Sequence, residues 1–97
     1  MIQANDKIMV ILKAIYSLGG RGTVEQITKM IPIDDLNKYN LNESVVRIRL
    51  SMKDGLYVRK VNPDVSYNIK KIWMLTPRVM RYFEEQNANT NELDRVE

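Results

Sequence analysis

Residues 44–60 read SVVRIRLSMKDGLYVRK, and the way this stretch divides decides the fold. At 100° per residue Glu43, Ser44, Arg47 and Ser51 fall on one polar arc, with Val45, Ile48 and Met52 beside it and Val46 and Leu50 on its other flank. Asn42 is an acceptable N-cap, and Gly55, lacking a Cβ, suits a left-handed position at the far end, so a helix is predicted up to Gly55. Arg49 and Lys53 lie within the apolar arc and are expected to run their stems along the core and release their charges at the helix edge. Behind the glycine, LYVRKVN (56–62) and SYNIKKIWML (66–75) are β-prone segments on either side of Asn62-Pro63-Asp64. The fixed φ of proline and the side-chain hydrogen bonds of Asn and Asp make that tripeptide a turn. An antiparallel hairpin should follow the helix.

Upstream, Ile8, Ile11, Leu12, Ile15 and Leu18 recur at helical spacing, with Asn5 or Asp6 as N-cap and Gly19-Gly20 as the stop, giving a first helix over 6–18. Thr23 and Gln26 form a capping-box pattern ahead of Val24, Ile27 and Ile31, so a second helix spans 24–31 and ends at Pro32. Residues 32–41 carry turn formers at both ends and read as a loop with room for one helical turn. Downstream, Thr76-Pro77 supplies an N-cap followed by proline at the first helical position, and Val79, Tyr82 and Phe83 give a short fourth helix one apolar face. From residue 87 the chain is polar without periodicity. The expected organisation is one domain over 1–86 and a flexible polar tail over 87–97. Tyr57, Tyr67, Trp73 and the methionines are assigned to core and sheet packing.

With 97 residues, 44% hydrophobic and 28% charged, the chain has the makings of a single folded domain. It contains no cysteine and no histidine, which removes thiolate nucleophiles, disulfides, zinc sites of the usual ligands and histidine acid–base pairs. Asp34 and Asp35 sit side by side on a loop and the other acids are scattered. Gly19-Gly20-Arg21-Gly22 follows a helix and lacks the lysine and hydroxyl residue of a phosphate-binding loop. No enzymatic activity, metal or cofactor is expected. The N-terminus has no basic leader and the longest apolar run, residues 8–12, is too short for a bilayer, so no membrane partner and a cytoplasmic setting are expected.

The net charge of +3 hides an asymmetry. Residues 1–43 hold five basic and five acidic side chains, residues 44–81 hold nine basic against two acidic for a net of +7, and residues 82–97 sum to −4. A positive field gathered in one stretch is what a polyanion-binding surface requires. A solvated face with surplus lysines is the competing reading of the same count.

Helix, helix, helix, hairpin, helix is a winged helix-turn-helix order, of class α+β, mostly α. The stretch 44–60 resembles the recognition helix and first wing strand of winged-helix transcriptional regulators. WMLTPRVMRYFEE (73–85) resembles the part of that superfamily where the second wing strand ends in Leu-Thr and enters the last helix. The resemblance covers about residues 8–85. It departs from the family pattern in the long connection between the second and third helices and in having no added dimerisation helix.

The resemblance implies a double-stranded DNA partner, with the third helix in the major groove. Ser44, Arg47, Arg49, Ser51 and Lys53 are then the candidate contacts of that helix, Arg47 first among them because arginine can bond bidentately to guanine. Arg59, Lys60, Lys70 and Lys71 are the candidates on the wing, where alternation along a strand lets only one member of each pair face a given phosphate row. By the same analogy Arg21 lies at the base of the wing if residues 21–23 add a third strand. A winged helix that docks on a host protein, as a viral or plasmid-encoded adaptor or inhibitor, is the alternative. RNA binding would need exposed aromatics, which are here given to the core. A homodimer would use the first helix or the last one with Tyr82 and Phe83.

Overall fold

The structure is a computed structural model that describes residues 5–61 and 71–96, with the backbone alone from 88 onward. The first helix begins where Asn5 Oδ1 accepts the N–H of Ile8 at 2.9 Å, satisfying one of the donors that a helix N-terminus leaves open. α1 (Asp6–Ser17) buries Ile8, Ile11, Leu12, Ala14 and Ile15 along one face. Past its end, the Gly20 N–H returns to the Ile15 carbonyl at 3.0 Å and the chain enters a short strand, β1 (Arg21–Thr23). The expected capping box closes reciprocally: Thr23 Oγ1 accepts the Gln26 N–H at 3.2 Å while Gln26 Oε1 accepts the Thr23 N–H at 3.0 Å. It starts α2 (Val24–Met30).

The connection read as a loop contains a helix of its own, α3 (Ile33–Lys38). Its charged faces hide the reason: Leu36 and Tyr39 pack against the core and Leu41 is buried, so three anchors fold the segment down. α4 (Glu43–Met52) then starts as expected, with Asn42 Oδ1 accepting the Val45 N–H at 2.9 Å. It ends in a tight turn in which the Lys53 carbonyl receives the N–H groups of Leu56 and Tyr57 at 3.0 Å and of Val58 at 3.3 Å. Gly55 sits inside that turn at φ 87°, a conformation that costs an L-residue with a Cβ strain and glycine none. β2 (Val58–Lys60), β3 (Ile72–Leu75) and α5 (Pro77–Val96) complete the chain.

The three strands form one antiparallel sheet in the order β1-β3-β2. Arg21, Gly22 and Thr23 face Met74, Trp73 and Ile72, and Val58, Arg59 and Lys60 face Leu75, Met74 and Trp73. The strand that analogy placed at residues 21–23 is therefore present. A Cβ at Gly22 would stand 2.8 Å from Leu18 Cδ1, so that side-chain end would have to move to admit a larger residue. Beyond the sheet, Leu75 N–H reaches the Gly20 carbonyl at 2.9 Å and Thr76 N–H the Tyr57 carbonyl at 3.0 Å. The buried Thr76 hydroxyl donates toward the carbonyls of Leu56 and Tyr57, at 3.2 and 3.4 Å.

One continuous core joins the α1 face to Val24 and Ile27, Val46 and Leu50, Tyr57 and Val58, Trp73 and Leu75, and Val79 and Phe83. The architecture is α+β and mostly helical, and Tyr57 and Trp73 are buried as expected. Tyr67 lies outside the described residues. The methionines divide: Met9 and Met80 pack against the core as expected, whereas Met30, Met52 and Met74 are exposed. The last helix is also longer than its apolar pattern suggests. Once its first turns are docked by Val79 and Phe83, each further residue adds a backbone hydrogen bond without a new nucleation cost, and Asn87 Nδ2 donates to the Tyr16 hydroxyl at 3.0 Å. Phe83, expected on a dimer surface, is instead buried, its ring stacked on Tyr16 at 5.0 Å. Among the described residues no helix is long and apolar enough to cross a membrane.

This packing predicts a sharp contrast within α4. Leu50→Ala should lower unfolding free energy by about 2–5 kcal/mol, whereas Ile48→Ala should change it by no more than about 0.5 kcal/mol. Thr76→Val, which keeps the shape and removes the hydroxyl donor while the Thr76 N–H still serves the Tyr57 carbonyl, should cost about 0.5–1.5 kcal/mol. Urea denaturation followed by circular dichroism checks all three; equal losses at positions 48 and 50 would contradict the orientation of the helix.

Candidate nucleic-acid interface

α4 is fastened by a narrow stripe, because Val46 and Leu50 are its only buried residues. Ile48 stands two positions from each, about 200° round the axis, and so points directly away from the core. Ser44, Arg47, Ser51 and Met52 share its exposed side. Ser51 Oγ donates back to the Arg47 carbonyl at 3.0 Å, which leaves its lone pairs outward as an acceptor. Arg49 and Lys53 are half-buried at the flank, as the snorkelling argument requires, and the Lys53 ammonium lies 5.5 Å from the centroid of the Tyr57 ring.

The hairpin separates its cations by face. Arg59 is exposed on the outer face, opposite Met74, and Met74 is in turn opposite Arg21, so an Arg21–Met74–Arg59 row crosses all three strands. Two strand spacings, about 10 Å, separate the two arginine backbones. Lys60 belongs to the other face, opposite Trp73. Its ammonium lies 5.6 Å from the Trp73 ring and 3.8 Å from Asp54 Oδ2. The side chain is 29% exposed against 40% for Asp54, and an ion pair this open to water is held loosely. Lys71 is exposed at the entry to β3, while Lys70 lies outside the described residues.

Arg21, Arg47, Arg59 and Lys71 are exposed, and Asp54 lies 3.8 Å from the Lys60 ammonium. Among the described residues no three acidic side chains gather in a way that could hold a metal ion. An open groove between α1 and the link from α2 to α3, lined by Met9, Val10, Ala14, Met30, Pro32 and Tyr39, contains none of the predicted contact residues.

Four helices, the third a short one, then a hairpin whose second strand also pairs with a short strand after the first helix, have a counterpart among solved structures. The STIV protein F93, a winged-helix DNA-binding protein, superposes with a TM-score of 0.58 over 95% of this chain and 95% of that one, at 18% sequence identity. The fold is a winged helix. In the winged helix α4 is the helix preceding the wing, β2 and β3 are the wing strands, and β1 closes the base of the sheet. No family model and no curated protein matches the chain.

Two residues on the outer side of α4 escaped the sequence reading. Ile48 and Met52 are 59% and 64% exposed, although the apolar arc that contained them suggested packing. A signal was present: with Val45, Val46 and Leu50 that arc covers about 200°, far more than the stripe of about 100° that one-sided burial needs.

Trp73 is the only tryptophan, and its position beside Lys60 makes it a reporter for the wing. Lys60→Ala should shift the emission maximum of the folded protein, while Arg59→Ala, on the opposite face, should leave it in place. Steady-state fluorescence distinguishes them.

Proposed function

We propose that this chain binds double-stranded DNA sequence-specifically, as a small cytoplasmic transcriptional regulator without catalytic activity, with α4 in the major groove and the wing along the phosphate backbone. The observation that carries the reading is the exposed side of α4, where Arg47 stands between Ser44 and Ser51 on the helix that leads into a cationic wing. Arginine offers two parallel donors that match the O6 and N7 acceptors of guanine. Ser44 offers a hydroxyl that can donate or accept and Ser51, its proton engaged by the Arg47 carbonyl, an acceptor; both are short enough to let the helix approach closely. Arg49 and Lys53, held at the helix flank, are suited to phosphates rather than bases. On the wing Arg59, Lys70 and Lys71 serve the backbone, and Lys60 joins them by exchanging the Asp54 carboxylate for a phosphate. The likeness in fold to a protein described as DNA-binding favours the same partner.

Fluorescence anisotropy of a labelled duplex, titrated at several salt concentrations, tests this. Wild type should bind with a negative log–log salt slope of about 0.9 per phosphate neutralised. The Arg59→Glu, Lys71→Glu double variant should flatten that slope by roughly two. Arg47→Ala should weaken binding to a selected sequence by about 1–3 kcal/mol while changing the slope little. A folded protein that fails to bind duplex at low salt would overturn the proposal and direct attention to a protein partner.

A further inference from the structure

The outermost position of α4 is occupied by isoleucine, not by a polar residue. Ile48 faces directly away from the buried pair Val46 and Leu50, and Met52, one turn on, extends the same exposed apolar strip. Single exposed apolar side chains are commonplace on protein surfaces, but these two adjoin each other on a helix whose other outward residues are Ser44, Arg47 and Ser51. The charge around the strip is of one sign. Arg47, Arg49 and Lys53 flank it, Glu43 is confined to the first turn, and Asp54 is paired with Lys60. Complementarity to a polyanion is therefore built around an apolar centre.

In the major groove that combination has a specific chemical counterpart. Guanine, adenine and cytosine edges present hydrogen-bonding atoms, and the C5 methyl of thymine is the apolar group in the groove. A polar base edge pressed against isoleucine or methionine would lose its water with nothing in return. A thymine methyl would gain contact instead. Residues four apart on a helix lie about 6 Å apart along its axis, close to two base-pair steps of about 3.4 Å. We infer that Ile48 and Met52 are specificity-determining residues that select thymines about two steps apart in the target, by burying their methyl groups, next to the base read by Arg47. The inference rests on the DNA-binding reading above.

The test uses a duplex selected by the wild-type protein from a randomised pool, prepared once with thymine and once with deoxyuridine at every thymine position. Deoxyuridine keeps the hydrogen-bonding edge and lacks only the methyl group. Wild type should bind the deoxyuridine duplex more weakly, by about fourfold for each methyl contacted, the equivalent of about 0.8 kcal/mol. The Ile48→Ser, Met52→Ser double variant, altered only at exposed positions, should bind the two duplexes equally and retain the wild-type salt slope. Equal binding of the two duplexes by wild type, with the salt slope intact, overturns this inference and leaves the DNA-binding reading standing. A double variant that still prefers thymine as strongly as wild type overturns it as well. Absence of any salt-dependent duplex binding removes both.

Discussion

β3 has to satisfy two neighbours at once, and the arrangement of the molecule depends on that requirement. Its partner on one side, β1, comes directly after α1, and its partner on the other, β2, comes directly after the turn that ends α4. The strand therefore fixes where the end of α4 stands relative to the first helix. Trp73 and Leu75 point from it into the core, and Thr76, the next residue, ties the turn at Leu56 and Tyr57 by its amide and its hydroxyl. Buried backbone groups left without such partners would each carry a desolvation cost.

That support lets α4 spend little of its own surface on stability. Two fully buried aliphatic side chains, worth about 1.5–3 kcal/mol each by area removed from water, hold it down, and more than half of its circumference is free to serve a ligand. The wing shows the same economy in electrostatics. Lys60 lies over Trp73 and near Asp54, Lys53 over Tyr57, and Arg59 faces outward. Charges on adjacent positions are thus given different surroundings by strand alternation alone, one lying over Trp73 beside Asp54 and the next meeting the outside.

What the sequence displays most clearly is what is local. The side-chain caps at Asn5, Thr23 with Gln26, and Asn42 are each decided within three residues, and all stand where their residue types indicate. The positive φ of Gly55 is local in the same sense, as is the alternation that separates Arg59 from Lys60. The misreadings concern width and reach. Periodicity sets Ile48 and Met52 at one edge of a broad apolar arc and Val46 and Leu50 at the other, and an angle on a helical wheel does not tell which part of that arc the neighbouring elements cover. α3 is legible only as room for one helical turn, because its anchors, Leu36, Tyr39 and Leu41, are too few to make a pattern over six residues. Phe83 looked available for a partner since nothing in its own segment reveals that Tyr16, far away in sequence, covers it.

The central place of β3 also dictates an order of assembly. Its Met74 pairs with Arg21, more than fifty positions earlier in the chain, so the sheet cannot exist until the ribosome has released nearly the entire core-forming sequence. The early helices can coil as they emerge and α4 can lay Val46 and Leu50 on α2, made before it, but Trp73 and Leu75 join the core only with a strand made later. Closing so long a loop is slow compared with local helix formation. The interval between synthesis of α4 and arrival of Leu75 is therefore the period in which this chain is most exposed to aggregation and proteolysis.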